Sequence, residues 1–155
     1  MRILALSDSH RNKFACAQAI KNQPNADIVV FLGDGEYDFD YCRNLIKTPL
    51  IFAVRGNGDF YSSLPVSQII EAEKELVYIT HGYKESVKSG TQRLYEAVKH
   101  YNCTLGLYGH THVQRYEYID GIHLYCPGSL LNEEYGVIDI TDNGILCINM
   151  KCRWD

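Results

Sequence analysis

Ile28-Val29-Val30-Phe31-Leu32 is a run of five apolar residues, rich in β-branched types, that stops at Gly33-Asp34. A run this short and this apolar reads as a strand buried on both faces, with a carboxylate emerging at its tip. Four other stretches repeat the device. They are Leu6-Ser7-Asp8-Ser9-His10, Val54-Arg55-Gly56-Asn57-Gly58-Asp59, Ile79-Thr80-His81-Gly82 and Tyr108-Gly109-His110-Thr111-His112. A chain that ends five apolar segments in Asp, Asn or His must place those ends where side chains of that kind belong.

The order of elements says where that is. Arg2 to Leu6 reads as a strand, and Lys13 to Lys21 as a helix carrying Phe14, Ala17, Ala19 and Ile20 on one face. Asn25-Ala26 turns the chain into a second strand, Asp27 to Leu32. A second helix, Tyr37 to Ile46, stops before Pro49, whose preceding residue is biased away from helix. Leu50 to Val54 is a third strand. Strand, helix, strand, helix, strand argues parallel pairing with right-handed crossovers. Ligands in such sheets sit beyond the carboxyl ends of the strands.

The pattern changes after Asp59. Val66 to Glu71 and Glu75 to Thr80 read as a hairpin or as neighbouring strands, and a helix is expected from Ser86 to Tyr101 with Val87, Leu94, Val98 and Tyr101 on one face. Short strands follow at Leu105–Tyr108, Val113–Ile119, Ile122–Tyr125, Tyr135–Ile140 and Ile145–Lys151. Asp120-Gly121 and Asn143-Gly144 are two-residue hairpin signals. No repeat, low-complexity stretch or linker divides the chain, so 1–155 is expected to be one domain.

A net charge of -4 leaves no basic stripe, which argues against a dedicated nucleic-acid binder. A small phosphate-bearing substrate remains open, because metal ions can supply positive charge locally. The apolar run at the N-terminus reaches Ser7-Asp8 too soon for a signal-peptide core or a membrane span, so a cytoplasmic location is expected. Cys16, Cys42, Cys103, Cys126, Cys147 and Cys152 form no CxxC pair and are read as reduced thiols with apolar packing roles.

Each polar strand end has a bland reading when taken alone. Asp8-x-His10 is a common triplet, Asp34 could cap a helix, Asn57 is a turn residue, and His81 could lie on the surface. His110 and His112, introduced by a glycine after a strand, suit metal ligation or capping better than core packing. Their joint occurrence outweighs the separate explanations. Imidazole and carboxylate suit manganese, zinc, iron, cobalt or nickel, and no cysteine forces zinc alone. Two such ions side by side need a bridging carboxylate to compensate their repulsion.

The set Asp8-x-His10, Gly33-Asp34, Gly56-Asn57-x-Asp59, His81 and Gly109-His110-x-His112 resembles the calcineurin-like metallophosphoesterases, and in particular their small YfcE-like phosphodiesterase branch. The resemblance implies an α/β four-layer αββα sandwich, two mixed β-sheets flanked by helices. It implies one metal held by Asp8, His10, Asp34 and His112. A second is held by Asp34, Asn57, His81 and His110, with Asp34 shared. Manganese is placed ahead of nickel, zinc, iron and cobalt. Catalytic work is assigned to Asp34, Asn57 and His81: both ions bind the phosphoryl oxygens of a small phosphate ester and share a hydroxide that attacks in line. No membrane partner is expected, and a homo-oligomer is compatible with the sequence.

Two positions depart from the family pattern. Larger members carry His after the asparagine, where it assists the leaving group. Gly58 stands there in this chain, so acidic leaving groups such as aryl esters are expected to react best. Cys126-Pro127-Gly128-Ser129 is similar to the family's N-P-G-S, with Cys for Asn. The alternative reading is a non-catalytic interaction module of the same fold, resembling the retromer subunit Vps29. Such relatives tend to lose ligand residues, and none is missing here.

Overall fold

A computed structural model describes residues 1–155. The first sheet contains β1 (Arg2–Leu6), β2 (Ile28–Phe31), β3 (Ile51–Ala53), β9 (Glu134–Thr141) and β10 (Gly144–Lys151), in the order β10-β9-β1-β2-β3. The second contains β4 (Ser67–Ala72), β5 (Glu75–Thr80), β6 (Leu105–Leu107), β7 (Gln114–Ile119) and β8 (Ile122–Pro127), in the order β4-β5-β6-β8-β7. β1, β2 and β3 run parallel in one sheet, and β5, β6 and β8 run parallel in the other. β9 joins β1 antiparallel, and the hairpin strands β4 and β7 lie antiparallel at the edges of the second sheet.

The period-2 geometry of each strand sends alternate side chains to opposite layers. On β1, Ile3 and Ala5 face the second sheet while Leu4 and Leu6 face helices α1 (Lys13–Asn22) and α2 (Glu36–Cys42). On β2, Ile28 and Val30 face inward with Leu32 beyond the strand end, and Val29 and Phe31 face the helices, where Phe31 stacks on Phe39 at 4.8 Å. Val77, Ile79, Leu105 and Leu107 complete the inter-sheet core from the other side. Helix α3 (Gln92–His100) covers the outer face of the second sheet through Leu94 and Val98, against Tyr108 and Leu124. The four-layer sandwich of two mixed sheets between helices is therefore the architecture observed. No helix is long and apolar enough to cross a membrane.

Three expected elements need correction. The helix placed at Ser86–Tyr101 is a short 3-10 turn, Val87–Ser89, followed by α3. Gly90 breaks it at φ +123°, a conformation that an L side chain resists. The helix placed at Tyr37–Ile46 starts at Glu36, ends at Cys42 and decays into a 3-10 turn, Arg43–Leu45. The last hairpin pairs Thr141 with Gly144, so Asp142-Asn143 forms its turn, one residue earlier than expected.

Candidate metal centre

Asp8 lies two residues past β1, at φ +54°, and His10 and Arg11 follow at +40° and +73°. Non-glycine residues hold such values only where the surroundings over-determine them. Here they do. The Asp8 amide donates to the Gly33 carbonyl at 2.9 Å, and the Asp8 carbonyl accepts from Ser129 Oγ at 2.7 Å and the Leu131 amide at 3.2 Å. Asp8 Oδ2 accepts from Ser7 Oγ at 2.5 Å and from the His110 amide at 2.9 Å. The other oxygen, Oδ1, is buried and has no hydrogen-bond partner. Around it stand His112 Nε2 at 3.1 Å, His10 Nε2 at 3.4 Å and His81 Nε2 at 4.0 Å.

Asp34, at φ +58°, reaches the same point from β2. Gly33, at φ +96°, and Gly56 make room for this approach: a Cβ on Gly33 would run into the backbone of Gly56, and one on Gly56 would run into Asp34. Asp34 Oδ1 accepts from the Gly58 amide at 2.7 Å. Its Oδ2 lies 3.4 Å from His81 Nε2 and 3.7 Å from His10 Nε2, between the two groups of histidines. Burial opposes ionisation of this carboxyl. The His81 ring, the Gly58 amide and His10 outweigh it and hold its pKa down at about 2.

His81 is oriented from behind. Its Nδ1 donates to the Leu32 carbonyl at 2.7 Å, which leaves the Nε2 lone pair facing the carboxylates. Burial disfavours the His81 cation, but Asp34, Asp8 and the Leu32 carbonyl raise its pKa above the ordinary histidine value. Burial, His81 and Lys88 push His110 the other way. Two nitrogen pairs face each other, His10 Nε2 and His112 Nε2 at 3.0 Å and His81 Nε2 and His110 Nδ1 at 3.2 Å. Nitrogens that close must share a proton or a cation.

Two sets of ligand atoms therefore form, Asp8/His10/His112 and Asp34/His81/His110, each with its donor atoms within 4.8 Å of one another. A buried carboxylate oxygen without a partner carries the full cost of lost hydration, about 1–3 kcal/mol or more for a charged group. A divalent cation removes that cost, so the residues present fit the metal that the donor set calls for. Asn57 is exposed in the loop after β3, and it lines the same groove as His81.

The family model for the calcineurin-like phosphoesterase superfamily domain matches residues 1–143. The chain belongs to the calcineurin-like phosphoesterase superfamily. A probable metallophosphoesterase of Mycoplasma pneumoniae is 30% identical over 132 residues, covering 83% of this chain and 79% of that protein. Among solved structures, a conserved protein of Streptococcus pneumoniae described as a predicted phosphoesterase has a TM-score of 0.79 at 24% identity, covering 97% of this chain and 88% of its own. A novel archaeal phosphodiesterase has a TM-score of 0.77 at 22% identity, covering 97% and 100%. Vps29 of Chaetomium thermophilum has a TM-score of 0.74 at 15% identity, covering 98% and 99%. At these identities the solved structures speak for the fold. Superfamily membership and the paired ligand sets make the chain a metal-dependent phosphoesterase.

Several residues position the centre of this phosphoesterase without belonging to either set of ligand atoms. Asp59, the last residue of the Gly56-Asn57-x-Asp59 motif, spends both oxygens on the backbone: Oδ2 accepts from the Asp34 and Gly56 amides at 2.8 Å, and Oδ1 from Gly35 at 2.9 Å and Glu36 at 3.0 Å. Asp38 Oδ2 accepts from Ser9 Oγ at 2.6 Å and the Arg11 amide at 2.9 Å, bracing the Asp8–His10 loop. Ser129 is the residue of the C-P-G-S segment that holds Asp8. Cys126, where the family pattern has Asn, sits 3.5 Å from the Thr111 hydroxyl, between the two histidines of the last motif. Gly58 does more than lack an acid. A Cβ there would lie 3.1 Å from Asp34 Oδ1, so any side chain at this position presses on the Asp34 carboxylate.

Proposed function

We propose that the chain is a phosphodiesterase of the small YfcE-like kind that works with two divalent ions, manganese first among them. Asp8, His10 and His112 would hold one ion, and Asn57, His81 and His110 the other, with Asp34 shared. Bound there, such ions supply Lewis-acid charge to phosphoryl oxygens and bring the pKa of water toward neutrality. The observation that carries this reading is the buried, unpartnered Asp8 Oδ1 with three imidazole nitrogens within 4.0 Å.

The chain's own part is positional. Asp34, with a pKa of about 2, stays ionised across the physiological range. The Leu32 carbonyl fixes the His81 tautomer, and Asp59 keeps the Asp34 loop from opening. No side chain at Gly58 protonates the leaving oxygen, which must depart largely unprotonated or take its proton from water. Aryl diesters should therefore turn over faster than alkyl esters.

The non-catalytic, Vps29-like reading rests on fold likeness alone. A Vps29 of Entamoeba histolytica is described in complex with zinc, so a metal-holding cluster fits either reading and turnover is what separates them. Metal analysis of the purified chain, with an assay on bis(p-nitrophenyl) phosphate in added manganese, decides between the two. Manganese-dependent release of p-nitrophenol supports the enzyme. Bound metal with no release favours the module.

A further inference from the structure

The groove beside His81 has a volume of about 440 Å³ and three exposed aromatic walls, Phe60, Tyr61 and Tyr83, with fractional exposures of 81%, 107% and 63%. This is an unusual concentration of bare rings beside a buried polar centre, since large apolar side chains seldom stay exposed together without a partner. Tyr83 is tied to the centre itself: its ring meets that of His110 edge-on, at 5.6 Å and 87°.

The charges along this groove are equally one-sided. Arg55 and Lys84 stand on its wall, and Asp59, its single carboxylate, is fully engaged by backbone amides. On the far side of Asp34 the neighbouring cleft is lined by Glu36, Arg11 and Asp38, the last held by Ser9 Oγ and the Arg11 amide, with Tyr37 as its one ring besides His10. The two approaches to the centre thus differ. One is aromatic and cationic, and the other is mostly polar and acidic.

Planar rings with flanking cations form the recognition chemistry of nucleotides: bases stack on aromatic faces, and cations meet phosphate. An alkyl diester would use an aliphatic wall, and Val66 alone supplies one. We infer that the groove beside His81 receives a nucleoside arm of the diester, its base stacked on Tyr83 and Phe60 and any further phosphate set against Arg55 and Lys84. The acidic cleft then takes the smaller or uncharged arm. This assignment rests on the phosphodiesterase reading and adds the substrate class to it.

The test compares two diesters with the same leaving group, thymidine 5′-(p-nitrophenyl) phosphate and methyl p-nitrophenyl phosphate, on the manganese-loaded chain. The nucleoside ester should show a kcat/KM at least roughly tenfold higher, the effect of one base stacked on an aromatic ring. That ratio should collapse toward one in Tyr83→Ala and Phe60→Ala, and survive in Tyr83→Phe. Equal kcat/KM for the two esters overturns the inference and leaves the phosphodiesterase intact. Hydrolysis of neither overturns the phosphodiesterase reading. Saturable binding of thymidine 5′-monophosphate to the manganese-loaded chain, lost in Tyr83→Ala, then still supports the groove assignment, and no binding overturns it. A dimer in sedimentation that Phe60→Ser dissociates also overturns it, because the rings are then covered by a second copy.

Discussion

The two halves of the metal centre reach similar geometry by different means. His81 and Asp34 have side chains 2% and 6% exposed, and the His81 ring is pinned through Nδ1 to a carbonyl of the opposite sheet's loop. His10 and His112 are 37% and 34% exposed, and they meet each other above the buried Asp8. One half is pre-oriented before an ion arrives. The other must order two half-exposed rings when it does, at a cost in side-chain freedom. Ions should therefore bind in sequence, first at the His81 half and then, with faster exchange, at the His10 half.

The largest effect expected from any single change is at Asp34, which the proposed function has the two halves share. Asp34→Ala should reduce kcat/KM by more than the roughly hundredfold that outer-shell changes cost, and should lower the number of ions held per chain. Normal turnover with full metal content would dissolve the comparison, since neither half would then need the shared oxygen. Next in size is the contrast between single histidines. In a calorimetric manganese titration, His81→Ala should remove the tighter event and His10→Ala should weaken only the looser one. The reverse order would mean that exposure does not govern affinity here.

Asp59→Ala leaves the five strands that precede the ligands intact but frees four backbone amides around Asp34. Metal affinity should fall by about 10- to 100-fold at the His81 half, with a smaller change at the other. Smallest is a pH effect of defined sign. In the metal-free chain, the raised His81 pKa contributes stability below the unfolded value of about 6.5, and that contribution is lost as pH rises through the folded value. Metal binding runs the opposite way, because protons compete for Nε2. The gain in melting temperature on adding manganese should therefore widen from about pH 6 to about pH 8. A gain that shrinks over this range would place the metal elsewhere.

Much of this centre was legible because its ligands follow buried parallel strands. Asp8, Asp34, His81 and His110 each end a run of apolar residues short enough to read directly, and such runs are local signals. The partners of the groups that hold those ligands were not legible, even where Asp59 and Ser129 themselves stood in a motif. Ser129 bonds to Asp8 across 121 residues, and Asp59 bonds to Asp34 across 25. Asp38 carries no motif at all. Only the fold brings these partners together, so no spacing rule could assign them. The break at Gly90 was hidden for a related reason: the apolar spacing of Val87 and Leu94 fits one helix, and a single positive φ between them overrides it.

On the proposed function, Asp8 Oδ1 lacks a protein partner because its partner is an ion. Native mass spectrometry of the metal-free chain titrated with manganese tests this directly. Two ions per chain, falling to one in Asp8→Ala while the chain stays folded, is the predicted result. A wild-type chain that takes up no manganese, or an Asp8→Ala chain that still holds two ions, would contradict it.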